Sequence, residues 1–180
     1  DVTGAETVLD AALQVSPRDE RAWKLRGEVL LRRGAHGEAE QAFAEALKIK
    51  DSAAVRAGLS QAQLAAGKFR AVLETSERAV ERNPNDFQAL QYGGLALLGL
   101  GRVDEAEQRL RAAKALVPDI SEVDYFLGAI QLDQGQVEQA KESLERYVKS
   151  APGNDAALRL LAWAHLQLGD AKRALDVVSP

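Results

Sequence analysis

The sequence has no cysteine. That excludes a disulfide framework, a thiolate zinc site and a cysteine nucleophile. The absence fits a cytosolic or a periplasmic setting equally. Aromatic residues are scarce, at 5%, so a large aromatic core is not expected. Only two histidines occur, His36 and His165. They stand too far apart for one copy to bring both to a shared metal. There is no run of Lys and Arg, and net charge is −4, so nucleic acid is a poor candidate partner. No apolar run approaches the ~20 residues of a membrane span, so no direct span is expected. No leader segment is recognisable. The first residues read as the middle of a repeating unit, so the start is expected to be a cut or processed end. Nothing has the geometry of a nucleophile, a base and an orienting acid.

What is present is an ordinary globular balance of 46% hydrophobic and 28% charged residues in 180. The stretch from Pro84 to Pro118 shows how they are arranged. Asn85-Asp86 offers a helix start, because side-chain oxygens there can accept the unpaired first-turn N–H groups. Phe87 to Leu100 follows, with Leu90, Gly94, Leu97 and Leu98 at helical spacing. Gly101 tolerates the positive φ that commonly closes a helix. Asp104 and Glu105 suit the positive end of a second helix. Val103, Ala106, Leu110 and Ala113 form its apolar stripe, and Pro118 stops it.

The rest of the chain repeats this unit. Turn glycines fall at Gly34, Gly67, Gly101, Gly135 and Gly169, in steps of 33, 34, 34 and 34. Prolines close units at Pro17, Pro84, Pro118 and Pro152, and Asp51 stands where one more would fall. The short step predicts a one-residue deletion near Lys50–Ala53, in a loop, where it is best tolerated. The expected organisation is one stack: a partial unit at 1–19, units at 20–52, 53–86, 87–120 and 121–154, and a partial unit at 155–180. It should contain eleven helices. Helices of about 12–14 residues are marginal alone in water and need packing. Small residues share one slot at Gly27, Ser60, Gly94, Gly128 and Ala162. Ala39, Val72, Ala106, Ala140 and Ala174 share another. Both slots let the two helices of a pair approach closely.

This period and these slots resemble the tetratricopeptide repeat (TPR) family. Trp23, Gly27, Ala39 and Phe43 carry the resemblance in one unit. Leu127, Gly128, Ala140, Leu144 and Pro152 carry it in another. Five matches in phase make the likeness strong. The usual mid-helix tyrosine is replaced by Leu30, Gln63, Leu97, Gln131 and His165, and Arg56 takes one tryptophan slot. The resemblance implies an all-α, right-handed solenoid of stacked antiparallel helix pairs. A narrower resemblance joins the wording of residues 128–132 and 151–154 to TPR proteins of bacterial exosortase (PEP-CTERM) exopolysaccharide systems. That implies a periplasmic or cell-envelope scaffold; otherwise a cytoplasmic one is expected.

Several residues could mislead. Ala66-Gly67-Lys68-Phe69 brushes the phosphate-loop pattern but lacks the following Ser/Thr, the spaced glycine and a preceding strand. Gly67 reads as a helix stop. Gly93-Gly94 lies inside a helix and reads as close packing. Asp104-Glu105 and the Glu38, Glu40 pair read as favourable helix-start charges or a solvated face. His165 reads as a partly buried, hydrogen-bonded helix residue. No cofactor and no catalysis are expected.

In stacked repeats the first helices line one surface, the concave one, and the second helices line the other. On each first helix, slots two, five and nine form a stripe. It reads Arg21, Lys24, Glu28; Ala54, Ala57, Gln61; Gln88, Gln91, Leu95; Glu122, Tyr125, Ala129; and Ala156, Arg159, Trp163. Packing slots repeat while these vary, so the stripe is free to carry recognition. A protein or peptide partner is expected on Arg21, Lys24, Glu28, Gln61, Gln88, Gln91, Leu95, Tyr125, Arg159 and Trp163. Glutamines can pair with its backbone and the aromatics can anchor its apolar side chains. The two-carboxylate clamp of some TPR domains is not expected. Glu28 takes its asparagine slot beside Lys24, and Ala54 and Gly58 replace its other cations. Two other functions stay open: self-assembly as a homo-oligomer through open repeat ends, and glycan handling in polysaccharide secretion.

Overall fold

A computed structural model describes residues 2–179. Among the described residues there are eleven α-helices and no strand. They are α1 (Val2–Val15), α2 (Glu20–Arg32), α3 (His36–Ile49), α4 (Ala53–Ala65), α5 (Phe69–Arg82), α6 (Phe87–Gly99), α7 (Val103–Leu116), α8 (Ser121–Asp133), α9 (Val137–Ser150), α10 (Asp155–Gln167) and α11 (Ala171–Val178). The chain divides into two compact units. The first, Asp1–Arg102, carries α1 to α6, and the second, Val103–Pro180, carries α7 to α11. The division falls between the two helices of the third full repeat.

Local chemistry sets the helix ends. Asp19 Oδ1 accepts from the Arg21 and Ala22 amides at 2.9 and 3.2 Å. Asp86 Oδ1 and Asn154 Oδ1 do the same for Ala89 and Ala157, at 3.1 and 3.0 Å. These caps satisfy first-turn donors that have no partner within the helix. The five turn glycines lie at φ between 71 and 78°. In each case the next amide reaches back to a helix carbonyl, as Ala35 does to Leu30 at 2.9 Å. The loop after α3 has three residues, 50–52, where the loops before α6, α8 and α10 have four. The deletion therefore sits in the loop where the glycine spacing placed it.

Packing follows the two small-residue slots. Ala39, Val72, Ala106 and Ala140 are 0% exposed and Ala174 is 4% exposed. In the first unit, Phe43 is wedged between α2 and α4. A Cβ built on Gly27 would stand 2.7 Å from its ring, and one on Gly58 would stand 2.3 Å from it. Real carbon atoms do not approach so closely, so glycine is required at both positions by contact rather than by φ. In the second unit, a Cβ on Gly128 would lie 2.7 Å from Leu144 Cγ.

In α2, α4 and α8 the tryptophan slot near the helix start ties that helix to the segment before it, by different chemistry each time. Trp23 Nε1 donates to the Pro17 carbonyl at 2.9 Å. Arg56 pairs with Asp51 and stands 3.9 Å from Asp86. Asp124 fills the slot in α8 and is 1% exposed. A buried carboxylate needs compensating partners. Lys114 Nζ donates to it at 2.5 Å and also to the Ile120 carbonyl at 3.1 Å. Arg146 Nε donates to it at 3.1 Å from α9. This network clamps α7, α8 and α9 of the second unit together.

Two expectations are corrected. Glu40 does not belong to a solvated face. It accepts from Gln63 Nε2 at 3.2 Å and from Lys68 Nζ at 2.6 Å, because its slot faces the following helix pair. His165 is buried, at 4% exposure, rather than partly buried. No side-chain hydrogen bond reaches it among the described residues.

Candidate functional site

In the first unit, α2 packs on α4 and α4 packs on α6. Their stripe residues meet very different surroundings. Arg21 is exposed, and its side chain has no partner among the described residues. It lines a shallow, open surface region with Arg18, Lys50, Asp19 and Glu20, where charges of both signs are mixed. Lys24 is held by Glu28 at 3.3 Å, one helical turn away, so this cation is engaged within its own helix. Gln61 is exposed, while Gln88 and Leu95 are half-buried.

Gln91 departs from the expected role. It is only 7% exposed and engaged inside the protein, so its amide is not presented to a partner. The cause is its helix. Ala89, Leu90, Gln91, Gly93, Gly94, Ala96 and Leu97 of α6 are all buried, and α6 packs on both α4 and α5.

The structure adds a feature that sequence reasoning missed. Ser76 of α5 occupies the slot that Phe43 fills in α3. Its hydroxyl donates to the Leu73 carbonyl of its own helix at 2.8 Å, and its small volume leaves a gap. A slot of about 20 Å³ remains, lined by Ala57, Ser60, Ser76, Ala79, Gln88 and Tyr92 among others. That is room for about one water molecule or a methyl group. Ala57 and Gln88 belong to the stripe, so the slot opens beside the stripe of the first unit. The signal was available: Ser76 stands in register with Phe43, Leu110 and Leu144.

In the second unit, α10 packs on both α8 and α9. Tyr125 of α8 is half-buried and braced by two rings. Phe126 lies edge-on at 5.1 Å and Tyr147 lies tilted at 5.2 Å. The Tyr147 hydroxyl accepts from Asn154 Nδ2 at 2.9 Å, and Asn154 in turn caps α10. One polar chain thus ties the Tyr125 ring to the start of α10. On α10, Arg159 and Trp163 stand one turn apart. Trp163 is 53% exposed, and the exposed Arg159 makes no side-chain contact with a charge among the described residues. An aromatic surface and an unpaired cation therefore share one helix face.

Titration shifts lie off the stripe. The Gln134 amide, donating at 2.9 Å, and then Arg111 hold the Glu107 carboxyl of α7 below the usual carboxylate range. A hydrogen bond to Glu138 raises Lys141 of α9. Among the described residues, no group of three or more His, Cys, Asp and Glu side chains converges as a metal site. No helix there is long and apolar enough to cross a membrane.

Comparison with known proteins agrees with this architecture. One tetratricopeptide repeat family model matches residues 1–54 and 127–179, a second matches 30–92 and a third matches 94–112. The chain is 29% identical over 111 residues to BBSome complex member BBS4 of Bos taurus, covering 61% of this chain and 21% of that protein. It is 29% identical over 109 residues to the phagocyte signaling-impaired protein of Drosophila pseudoobscura pseudoobscura, covering 61% of this chain and 11% of that one. The chain therefore spans about a fifth and about a ninth of these two relatives. Among solved structures, PilW, a widely conserved type IV pilus biogenesis factor, superposes with a TM-score of 0.76 at 23% identity, over 98% of this chain and 83% of that one. A thermophilic TPR protein of Thermus thermophilus superposes with a TM-score of 0.73 at 21% identity, over 88% of each. YrrB, described as a TPR protein with an unusual peptide-binding site, gives 0.61 at 25% identity, over 87% of this chain and 81% of that one. The first two likenesses speak to the fold alone, and that fold is the all-α class of stacked helix pairs.

Proposed function

Because this chain belongs to the tetratricopeptide repeat family, we propose that it is a non-catalytic scaffold holding a protein or peptide segment along its first-helix stripe. The fold itself is consistent with a protein-interaction scaffold. The observation that carries the finer reading is a contrast in burial. The repeated slots are sealed, as at Ala39, Ala106 and Ala140, whereas Arg21, Gln61, Arg159 and Trp163 of the varying stripe face solvent. Sealed slots serve the fold. Exposed, unpaired and chemically diverse positions are those a partner can contact without cost to packing.

Each unit contributes a different chemistry. The first offers the exposed Arg21 and the slot beside Gln88. The second offers the braced Tyr125 ring and the exposed Trp163, which supply contact area with polar tips. YrrB, a structural relative with a peptide-binding site, supports a peptide as the occupant. The test is capture on the immobilised chain from panels of peptides and of polysaccharides. Retention of peptides alone supports the proposal, and retention of polysaccharides alone replaces it with glycan handling. A place in a bacterial envelope or exopolysaccharide assembly is a further part of the proposal, supported by the wording of residues 128–132 and 151–154. The full-length gene and its neighbours test it.

A further inference from the structure

The second full repeat keeps an opening that the first repeat fills. Gly58 of α4 makes room for the Phe43 ring, and the residue one repeat on from Gly58 is Tyr92 of α6. Large and small have changed sides there, since Ser76 and Tyr92 stand where Phe43 and Gly58 stood. The exchange does not restore the lost volume, and the slot of about 20 Å³ beside Ser76 is what it leaves. The slot is bounded by α4, α5 and α6, with described helices before and after them, so the chain ends play no part in it.

The lining carries hydrogen-bonding groups with nothing to bond. Ser60 is 6% exposed, and its hydroxyl has no partner among the described residues. The Thr75 hydroxyl and the Gln88 amide, both on half-buried residues, are likewise without a partner there. Ser76 donates its proton to the Leu73 carbonyl, so its oxygen can still accept. Buried polar groups left unpaired are rare and destabilising. An opening lined by them suits an occupant that bonds them. Charge and volume narrow that occupant. Arg56 and Asp86, which also line the slot, are opposite in sign and 3.9 Å apart, so no net charge is favoured. The volume admits about one heavy atom, which excludes a branched or aromatic tip. A neutral group ending in one polar atom that both donates and accepts is a hydroxymethyl. Ala57 and Gln88 place the slot beside the stripe, where a bound peptide would present its side chains. We propose that the slot is a subsite for one serine side chain of the partner peptide, whose hydroxyl bonds that of Ser60. This subsite presupposes the peptide-scaffold reading and adds to it the side chain that is recognised.

A randomised peptide library displayed on phage, selected against the immobilised whole chain, tests this. Ser60→Ala and Ser76→Leu are selected against in parallel. Ser60→Ala keeps the room and removes the hydroxyl, and Ala162 already occupies the same slot of α10. Ser76→Leu fills the room with the residue that Leu110 and Leu144 place in register with it. Circular dichroism checks that each variant folds, and Ser60→Ala alone decides if Ser76→Leu does not. The expected result is a set of peptides sharing a serine at one position. Replacing that serine by alanine in a synthetic peptide should weaken binding to the parent about fivefold to tenfold, the worth of one hydrogen bond. On Ser60→Ala the same replacement should matter by no more than about twofold, because the bond is already gone. A folded Ser76→Leu should weaken the serine peptide at least as much as Ser60→Ala does. Peptides with no shared serine would overturn the subsite and leave the scaffold reading standing. So would a serine-to-alanine change that matters equally on the parent and on Ser60→Ala. Unchanged binding to a folded Ser76→Leu would overturn the subsite too, as expected of a slot that holds only water. Selection of no peptide at all would overturn the scaffold reading and the subsite together.

Discussion

In the first repeat, Phe43 is driven between Gly27 and Gly58 and is 1% exposed. In the second, Ser76 stands in the same slot opposite Ser60 and leaves a gap of about 20 Å³. The backbone accommodates both, with the same turn glycine and the same helix lengths for the pair. Where the large side chain is present, it joins two first helices through one contact. The junction that holds the large side chain is also the one that polar links reinforce. Arg56 pairs with Asp51, and Lys68 and Gln63 hold Glu40. Repeat architecture constrains the spacing of small and large positions more tightly than it constrains any one contact.

That comparison breaks most visibly at the large side chain. Phe43→Ala should cost about 3–5 kcal/mol, since it removes a buried ring between two helices that carry glycine to receive it. Ser76→Ala should cost under about 1 kcal/mol, because the lost hydroxyl bond lies within its own helix. Denaturant titration of both variants checks this, and equal costs would mean that the Phe43 ring does not carry the contact between α2 and α4. Next in size is Gly128→Leu. With the nearest side chain only 2.7 Å from a new Cβ, overpacking should cost about 1–3 kcal/mol. An unchanged melting temperature would contradict the close approach of α8 and α9.

The smallest effect concerns Glu107 in the second unit. Its folded-state carboxyl titrates below the usual range, chiefly through the Gln134 hydrogen bond. A carboxyl depressed in the folded state contributes stability above its ordinary value. That contribution is lost as pH falls from the ordinary carboxylate range through the depressed folded value. Gln134→Ala should lower the melting temperature slightly at neutral pH and make its fall on acidification shallower than in the parent. Parallel curves for the two proteins would show that Gln134 does not set this titration.

Much of the fold was legible because its determinants are local. Gly101 and its four counterparts are needed for a positive φ, Asp86 and Asn154 for capping, and the missing residue near Asp51 shows in the glycine spacing alone. What stayed hidden depends on neighbours far along the chain. Gln91 and Arg159 share slot five, yet one is enclosed by α4 and α5 and the other is exposed. Asp124 is acceptable in a tryptophan slot only because Lys114 and Arg146 converge on it from two other helices. Glu40 looked like a solvated acid until Lys68 and Gln63 met it. Periodicity locates a slot, but it does not say which side chain will arrive opposite.

The central claim is that the varying stripe, rather than the second-helix surface, carries recognition. Isothermal titration of a captured partner peptide tests it most directly, using Tyr125→Ala, Trp163→Ala and the exposed second-helix change Glu142→Ala. The account predicts losses of about 2 kcal/mol or more for at least one aromatic variant, as for a buried anchor at an interface, and parent-like binding for Glu142→Ala. Parent-like binding by both aromatic variants, with loss in Glu142→Ala, would contradict it.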